Sequence, residues 1–382
     1  MHKIEINITN KNISSTIFIS NNLLINKKIS DLIKPNICII TNKTIAPIYI
    51  DKIINIFNNN NNNNNNITKI ILPDGEEHKN LEQLSYIWNE LLKNKIPPSS
   101  TTIISLGGGV ITDITGFAAS TYLRGVDVIH IPTTLLAQID ASIGGKTAIN
   151  HHLGKNMIGT FYQPKTIILD AIFLNTLPIL DFNSAMSEAI KYGLIWDKKF
   201  FNWLIDNNKK IKNKDHKTLT HLIKTCAEIK ANIIMQDPLE QKGLRALLNL
   251  GHTFAHAIEN LAGYGEYTHG EAVSIGTILA LEYSINKFPE NSLELKLILQ
   301  NTIEFLDFFD LPINLNKLSN KYKNQNQLDN LIKNIIKNMS RDKKNISTDE
   351  NNIQLILVNK AGSALQETGD NKQIKSILNN YL

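Results

Sequence analysis

The sequence predicts a doubly wound α/β domain over residues 1–178, followed by a mainly α-helical domain over 179–382. Three observations predict it. Short apolar runs at 36–42, 67–72, 101–106, 126–131 and 167–170 recur with helical spacing between several of them. The run at 101–106 leads directly into Gly107-Gly108-Gly109 and an alanine-rich helix. After Leu177-Pro178 the pattern changes to helical spacing almost throughout.

In chain order, residues 3–20 alternate apolar and polar side chains, as in Ile4-Glu5-Ile6-Asn7-Ile8, and read as a pair of strands. Residues 36–42 form a buried parallel strand ending in polar Thr41-Asn42. The pure asparagine tract at 58–66 cannot bury apolar surface and reads as a loop expansion. A strand at 67–72 ends at Pro73-Asp74-Gly75-Glu76. Leu81, Leu84, Ile87, Trp88 and Leu91 then mark one face of a helix closed by Pro97-Pro98. Strand, glycines and helix at 101–122 present backbone N–H groups as an anion site does, although the loop is neither Gly-x-Gly-x-x-Gly nor a P-loop. The strand at 126–131 ends in Pro132-Thr133-Thr134, with hydroxyls at the carboxyl edge. Lys146 and Lys155 sit in glycine-rich stretches read as loops, where backbone and ammonium can approach an anion closely. Beyond 179, helices are expected near 184–195, 200–205, 218–234, 273–285 and 293–306, and a final strand at 353–358.

Composition narrows the function classes. The chain has 382 residues, 42% hydrophobic and 20% charged, as an ordinary globular protein has. A net charge of +5 comes from dispersed lysines, which argues against nucleic-acid binding and suits a small anionic substrate. Two cysteines, Cys38 and Cys226, exclude a disulfide framework. The opening residues lack the apolar core of a signal peptide, and no apolar stretch is long enough to span a bilayer. A soluble cytoplasmic protein is expected.

The densest polar stretch is 249–271, with His252, His256 and His269 among Glu259, Glu266 and Glu271. His252 and His256 stand four apart and share a helix face, and His269 returns on a following segment. Converging histidines and carboxylates point to a metal site, and spacing alone does not choose the ligands. On the preceding helix, Glu188 and Lys191 lie within one turn of each other.

Taken together, several motifs resemble the 3-dehydroquinate synthase family. They are Asp74-Gly75-Glu76 with Lys79, Gly107-Gly108-Gly109-Val110 with Asp113, Arg124-Gly125, Pro132-Thr133-Thr134 and Asp140-Ala141-Ser142-Ile143-Gly144-Gly145-Lys146-Thr147. Gly154-Lys155-Asn156, Glu188 with Lys191, Asn249-Leu250-Gly251-His252, His256 with Glu259, and His269-Gly270-Glu271 follow in order. The resemblance covers roughly residues 35–360.

It implies a Rossmann-like NAD-binding sheet and a metal- and substrate-binding helical domain. The implied enzyme is a carbon-oxygen lyase that converts 3-deoxy-D-arabino-heptulosonate 7-phosphate to 3-dehydroquinate and phosphate in the shikimate pathway. It would use NAD catalytically and one divalent metal, Zn2+ or Co2+. The resemblance assigns the metal to Glu188, His252 and His269, and makes His256 a substrate and proton-handling residue. NAD would meet Asn42, Asp74, Gly75, Glu76, Lys79, Gly108, Gly109, Val110, Asp113, Thr133, Thr134, Asp140, Lys146, Lys155, Phe173, Leu174, Asn175 and Thr176. Catalysis would fall to His256, Lys146, Lys191, Arg245 and Asn249. The substrate would also meet Asn156, Lys230 and one of Lys343 or Lys344. Arg124 would reach the phosphate bound by a neighbouring subunit, which implies a homodimer.

Two departures stand out: Thr112 occupies a position where the family carries glycine, and the stretch 237–243 is one residue longer, leaving Glu240 and Gln241 as alternatives for the family's glutamate. Rival readings are a sister cyclase such as a 2-deoxy-scyllo-inosose or valiolone synthase, a polyol dehydrogenase of the glycerol-dehydrogenase type, and an inactive NAD-binding scaffold. Lys155-Asn156, Arg245 and Asn249 favour the shikimate enzyme over the first, a dehydrogenase would release NADH, and the intact metal triad and lysines disfavour the third.

Overall fold

The computed structural model describes residues 1–8, 13–20, 32–60, 66–263, 266–322, 324–340 and 353–382. Lys343 and Lys344, expected at the substrate, and most of the asparagine tract lie outside the described residues. The chain divides into two units, one of 1–178 with 214–239 and the other of 179–213 with 240–382.

In the first unit the strands are β1 (His2–Ile8), β2 (Ile13–Ser20), β3 (Asn36–Asn42), β4 (Asn66–Leu72), β5 (Thr101–Gly107), β6 (Val128–Pro132) and β9 (Thr166–Asp170). They form one sheet in the order β1-β2-β9-β6-β5-β3-β4, parallel except for β1 against β2. The crossovers are α1 (Ala46–Asn60), α2 (Leu81–Lys93) and α3 (Gly109–Thr121). Successive strand residues face opposite sides, so β3 feeds two cores. Ile37 and Ile39 pack with Tyr49, Ile53 and Phe57 of α1, while Cys38 and Ile40 pack with Leu84, Ile87 and Leu91 of α2. Burying each such aliphatic side chain contributes about 1.5–3 kcal/mol. From β3 the chain crosses to β4 on one side and then to β5 on the other, a switch point that opens a crevice at the strand carboxyl ends. Asn42 and Gly107 end the two strands that flank it.

The stretch around Lys146 and Lys155, expected as loops, is instead an antiparallel hairpin of β7 (Lys146–His151) and β8 (Gly154–Phe161). Gly144 and Gly145, at φ +104° and +68°, turn the chain into it. An added Cβ at Gly159 would overlap the Thr147 carbonyl oxygen, so the two strands fit only around glycine there.

The second unit holds α4 (Ile179–Ser184), α5 (Met186–Ile195), α6 (Lys198–Asp206) and α7 (Asn208–Lys212). The next helix, α8 (His216–Gln236), was expected in the helical second half but groups with the first unit. Its buried Leu219, Leu222, Ile223 and Cys226 belong to a face that packs along β1 and β2. The second unit resumes with α9 (His252–Ala262), α10 (His269–Lys287), α11 (Ser292–Phe308), α12 (Asn316–Ser319) and α13 (Gln325–Ser340). It ends with the hairpin of β10 (Ile353–Lys360) and β11 (Ser363–Gly369), then α14 (Asn371–Tyr381). The central helix α10 starts from a capping box formed by Thr268 and Glu271, and its buried residues occur on all sides. Among the described residues no helix is long and apolar enough to cross a membrane.

A candidate metal centre and a candidate nucleotide crevice

Three helices of the second unit, α5, α9 and α10, meet at Glu188. Its side chain on α5 is fully buried, and Lys191 one helical turn later brings its ammonium against Oε2. His252, at the start of α9, places Nε2 3.3 Å from Oε1, and His269, at the start of α10, places Nε2 3.5 Å from the same oxygen. Gly251 makes the entry of α9 possible. It adopts φ +78°, and a Cβ there would press into the backbone of Gly276 and Thr277 on α10.

The donor chemistry fits a metal ion. Ligand atoms of Glu188, His252 and His269 all lie within 4.8 Å of one another. Among the described residues neither Glu188 oxygen has a directed hydrogen bond, although both are buried. Each imidazole is oriented by its other nitrogen. His252 Nδ1 donates to the Leu250 carbonyl at 3.1 Å, and His269 Nδ1 faces Glu259 Oε2 at 3.6 Å. In the neutral form that a metal requires, a proton on Nδ1 leaves each Nε2 lone pair directed at the cluster. Burial would raise the Glu188 carboxyl, but Lys191, His252 and His269 hold it well below the usual carboxylate range. Burial pushes His252 down to about 4 against the pull of Glu188. Burial acts the same way on His269, yet Glu188 and Glu259 override it and carry that imidazole up to about 10.

His256 follows His252 by one turn on α9, with ring centroids 5.5 Å apart, and is not part of the three-residue cluster. Arg245 is buried at the start of a short 3-10 helix (Arg245–Asn249), and Asn249 at its end donates to the Ala246 carbonyl at 3.0 Å. Glu240 takes φ +59°, which accommodates the longer stretch as a local turn. Glu259 is the residue the sequence reading left without a role. Its signal was present: Glu259 stands seven residues after His252, two turns along the same helix face.

In the first unit several of the expected cofactor residues lie at the strand ends beside the switch point. Asn42 Oδ1 caps the Ile45 N–H at 2.9 Å, and Asp74 accepts from the Thr44 N–H at 3.2 Å. Gly75, at φ +113°, leads into the 3-10 helix Glu76–His78. The Lys79 side chain is buried and donates to Asp113 Oδ2 on α3 and to Asn156 Oδ1 at 2.5 Å. Burial raises the Asp113 carboxyl, opposed by the Lys79 ammonium. Gly108 caps α3 without any side-chain hydrogen bond, leaving first-turn N–H groups aimed at the crevice, as a pyrophosphate requires. Thr112 lies inside that first turn, outside the positive-φ region, and donates to the Gly109 carbonyl at 3.0 Å. The position therefore asks for no glycine, and threonine is unstrained there.

Thr133 donates its N–H to the Gly107 carbonyl at 3.0 Å, and its buried hydroxyl has no hydrogen-bond partner among the described residues. Thr134 follows, its methyl 3.0 Å from where a Gly108 Cβ would sit, so the two loops touch only because residue 108 is glycine. Lys230 on α8 donates to the Asp140 carbonyl at 2.5 Å and to Asp140 Oδ1 at 2.6 Å. The residues 173–176 lie in and just after a 3-10 helix (Ala171–Asn175) beyond β9, and the Thr176 hydroxyl meets Tyr49 at 2.6 Å. Lys214, which the sequence reading passed over, donates to the carbonyls of Leu174 and Leu177 at 2.8 and 2.9 Å. Arg124 is exposed between Leu123 and Gly125, and all three have positive φ. Lys146 and Lys155 are both exposed on the β7–β8 hairpin.

Comparisons with known proteins meet this geometry. The 3-dehydroquinate synthase N-terminal profile matches residues 69–184, and the C-terminal profile of the same family matches 185–345. A 3-dehydroquinate synthase of Shewanella sp. (strain MR-4) is 48% identical over 284 residues, covering 74% of this chain and 76% of that one. A 2-deoxy-scyllo-inosose synthase, solved with carbaglucose-6-phosphate, NAD+ and Co2+, superposes with a TM-score of 0.83 at 24% identity, covering all of both chains. A 2-epi-5-epi-valiolone synthase from Streptomyces hygroscopicus subsp. jinggangensis, with NAD+ and Zn2+ bound, gives 0.81 at 22% identity over 97% of each chain.

Proposed function

Because the chain belongs to the 3-dehydroquinate synthase family, we propose that it eliminates phosphate from 3-deoxy-D-arabino-heptulosonate 7-phosphate and closes the carbocycle of 3-dehydroquinate. The observation that carries this reading is Glu188, fully buried where Lys191, His252 and His269 converge on its two oxygens. The sister cyclases share the fold at no more than half the identity of the synthase relative, which favours the shikimate substrate.

In this reading Glu188, His252 and His269 hold one divalent ion, Zn2+ or Co2+, and the crevice at β3 and β5 holds NAD. The bound metal supplies Lewis acidity at a substrate hydroxyl, and the bound nucleotide supplies a transient oxidation that is later reversed. Oxidation to a ketone acidifies the adjacent C–H, so loss of phosphate needs only a poised proton acceptor. His256 handles protons beside the metal ligands, and Lys191 steadies negative charge on substrate oxygen while countering Glu188. Arg245 and Asn249 are the residues proposed to orient the substrate. Lys146, Asn156 and Lys230, with Lys343 or Lys344, are further residues proposed to meet its anionic groups. Glu76, Lys79 and Asp113 face the nucleotide, with the first turn of α3 at its pyrophosphate.

A homodimer goes with this assignment. Leu153, Met157, Ile158 and Phe161 are exposed on the β7–β8 hairpin, an apolar edge that a second copy would cover. Arg124, held in a strained backbone turn, is the residue proposed to reach the partner's substrate phosphate. The two cysteines are buried, and burial pushes the Cys38 thiol up to about 12, so neither is suited to disulfide chemistry and a reducing cytoplasm fits.

The test is phosphate release from the heptulosonate phosphate by metal- and NAD-loaded enzyme. Release without accumulation of NADH is expected. Stoichiometric NADH would identify a polyol dehydrogenase instead, and no release would end the assignment.

A further inference from the structure

One side chain joins the 3-10 helix that carries Glu76 to the strand β8 that carries Asn156. Asn150, half-buried near the end of β7, sits where the pairing of β7 with β8 shifts register between Ile149 and His151. Such bulges re-aim a side chain out of the regular ladder. Its Nδ2 donates to Glu76 Oε1 at 2.7 Å and to the Glu76 carbonyl at 3.2 Å. Its Oδ1 accepts from the Asn156 N–H at 2.8 Å. Its own backbone N–H donates to the Lys79 carbonyl at 2.7 Å. Asn156 in turn takes φ +56° and accepts the Lys79 ammonium on Oδ1. A left-handed asparagine is held by its surroundings, and here the holding group is Asn150.

We propose that Asn150 is a positioning residue, which fixes the Glu76 carboxylate for the nucleotide and the Asn156 amide for the substrate through one amide. An amide suits the place because it offers a donor to one element and an acceptor to the other. Alanine removes both, and aspartate keeps the acceptor while setting a carboxylate against Glu76. The proposal rests on the reading that Glu76 and Lys79 face NAD and Asn156 faces substrate.

The measurement is the NAD dissociation constant of the full-length protein, by calorimetry, with the melting temperature recorded without nucleotide. Asn150→Asp is expected to weaken NAD about tenfold, the scale of losing a hydrogen bond to a charged group. Adding Glu76→Gln restores a hydrogen bond with donor and acceptor exchanged. The double variant should then bind NAD several-fold better than the product of the two single losses. The KM for the heptulosonate phosphate should rise further in Asn150→Ala than in Asn150→Asp, because only alanine releases the Asn156 N–H. Wild-type affinity in Asn150→Asp, or strictly multiplicative losses that track a fall in melting temperature, would overturn the positioning role. Wild-type protein that neither binds NAD nor releases phosphate would overturn the functional reading, and this proposal with it.

Discussion

At the scale of single residues, the two histidines one turn apart on α9 are proposed to do different work. Spacing makes His252 and His256 equivalent, since both lie on one helix face. Position breaks the tie: His252 opens the helix and meets Glu188, whereas His256 stands a turn deeper, outside the cluster. Metal content after dialysis should separate them. Glu188→Gln is expected to lose the ion, because a neutral amide replaces the one anionic ligand. His256→Ala should retain it while kcat falls about a hundredfold or more. Glu259→Gln belongs to the same experiment, with a metal affinity about ten- to a hundredfold weaker, since it orients His269 and does not touch the ion. Full metal in Glu188→Gln, or none in His256→Ala, would mean the roles are exchanged. Spacing left the ligands open, and the family resemblance singled out Glu188, His252 and His269, whose ligand atoms the fold brings within 4.8 Å of one another. Asn150 was not legible in the sequence, because its partner Glu76 lies 74 residues away and only the folded hairpin brings them together.

At the scale of elements, the sheet was read well where strands are buried on both faces and poorly where they are exposed. Strands β3, β5 and β9 appear as short, mainly apolar runs, and the structure buries them from both sides. The β7–β8 hairpin was taken for loops because β8 is exposed along almost its whole length, so burial imposes no apolar pattern on it. Helix α8 was recognised as a helix but assigned to the wrong unit, since its apolar face does not record which surface it covers. Within the sheet, β6 carries a buried polar residue with a measurable consequence. His130 Nδ1 meets the Ser105 hydroxyl at 2.6 Å between neighbouring strands, and burial pushes its pKa down to about 3. The unfolded chain takes up this proton near pH 6.5, whereas the fold resists it until far lower. The stability that neutral His130 provides is therefore complete above that pH and is lost as pH falls towards 3. By pH 5 the loss is about 2 kcal/mol. Denaturant titrations of wild type and His130→Asn should converge by that amount between pH 7 and pH 5. A constant gap would show that His130 protonates as readily in the fold as in the unfolded chain.

At the scale of the whole molecule, the proposed dimer makes a prediction that no single-chain reading shares. If Arg124 serves a neighbour's site, each site needs one chain's His256 and the other chain's Arg124. Arg124→Ala and His256→Ala homodimers would then both be inactive, each for lack of one component at both sites. A mixed dimer would contain one complete site: the Arg124→Ala subunit keeps its own His256 and receives the intact Arg124 of its partner. The other site in that dimer lacks both. Equal amounts of the two variants, dissociated and reassociated, give half mixed dimers with one working site in two, or about a quarter of the wild-type rate. Phosphate release measured before and after mixing checks this. If Arg124 acted within its own chain, every site in the mixture would lack one component and mixing would restore nothing. Arg124 already occupies an exposed, left-handed turn between Leu123 and Gly125, a conformation that costs energy and packs little of its own side chain. A second copy of the chain gives that cost a use, and the mixing experiment measures whether it does.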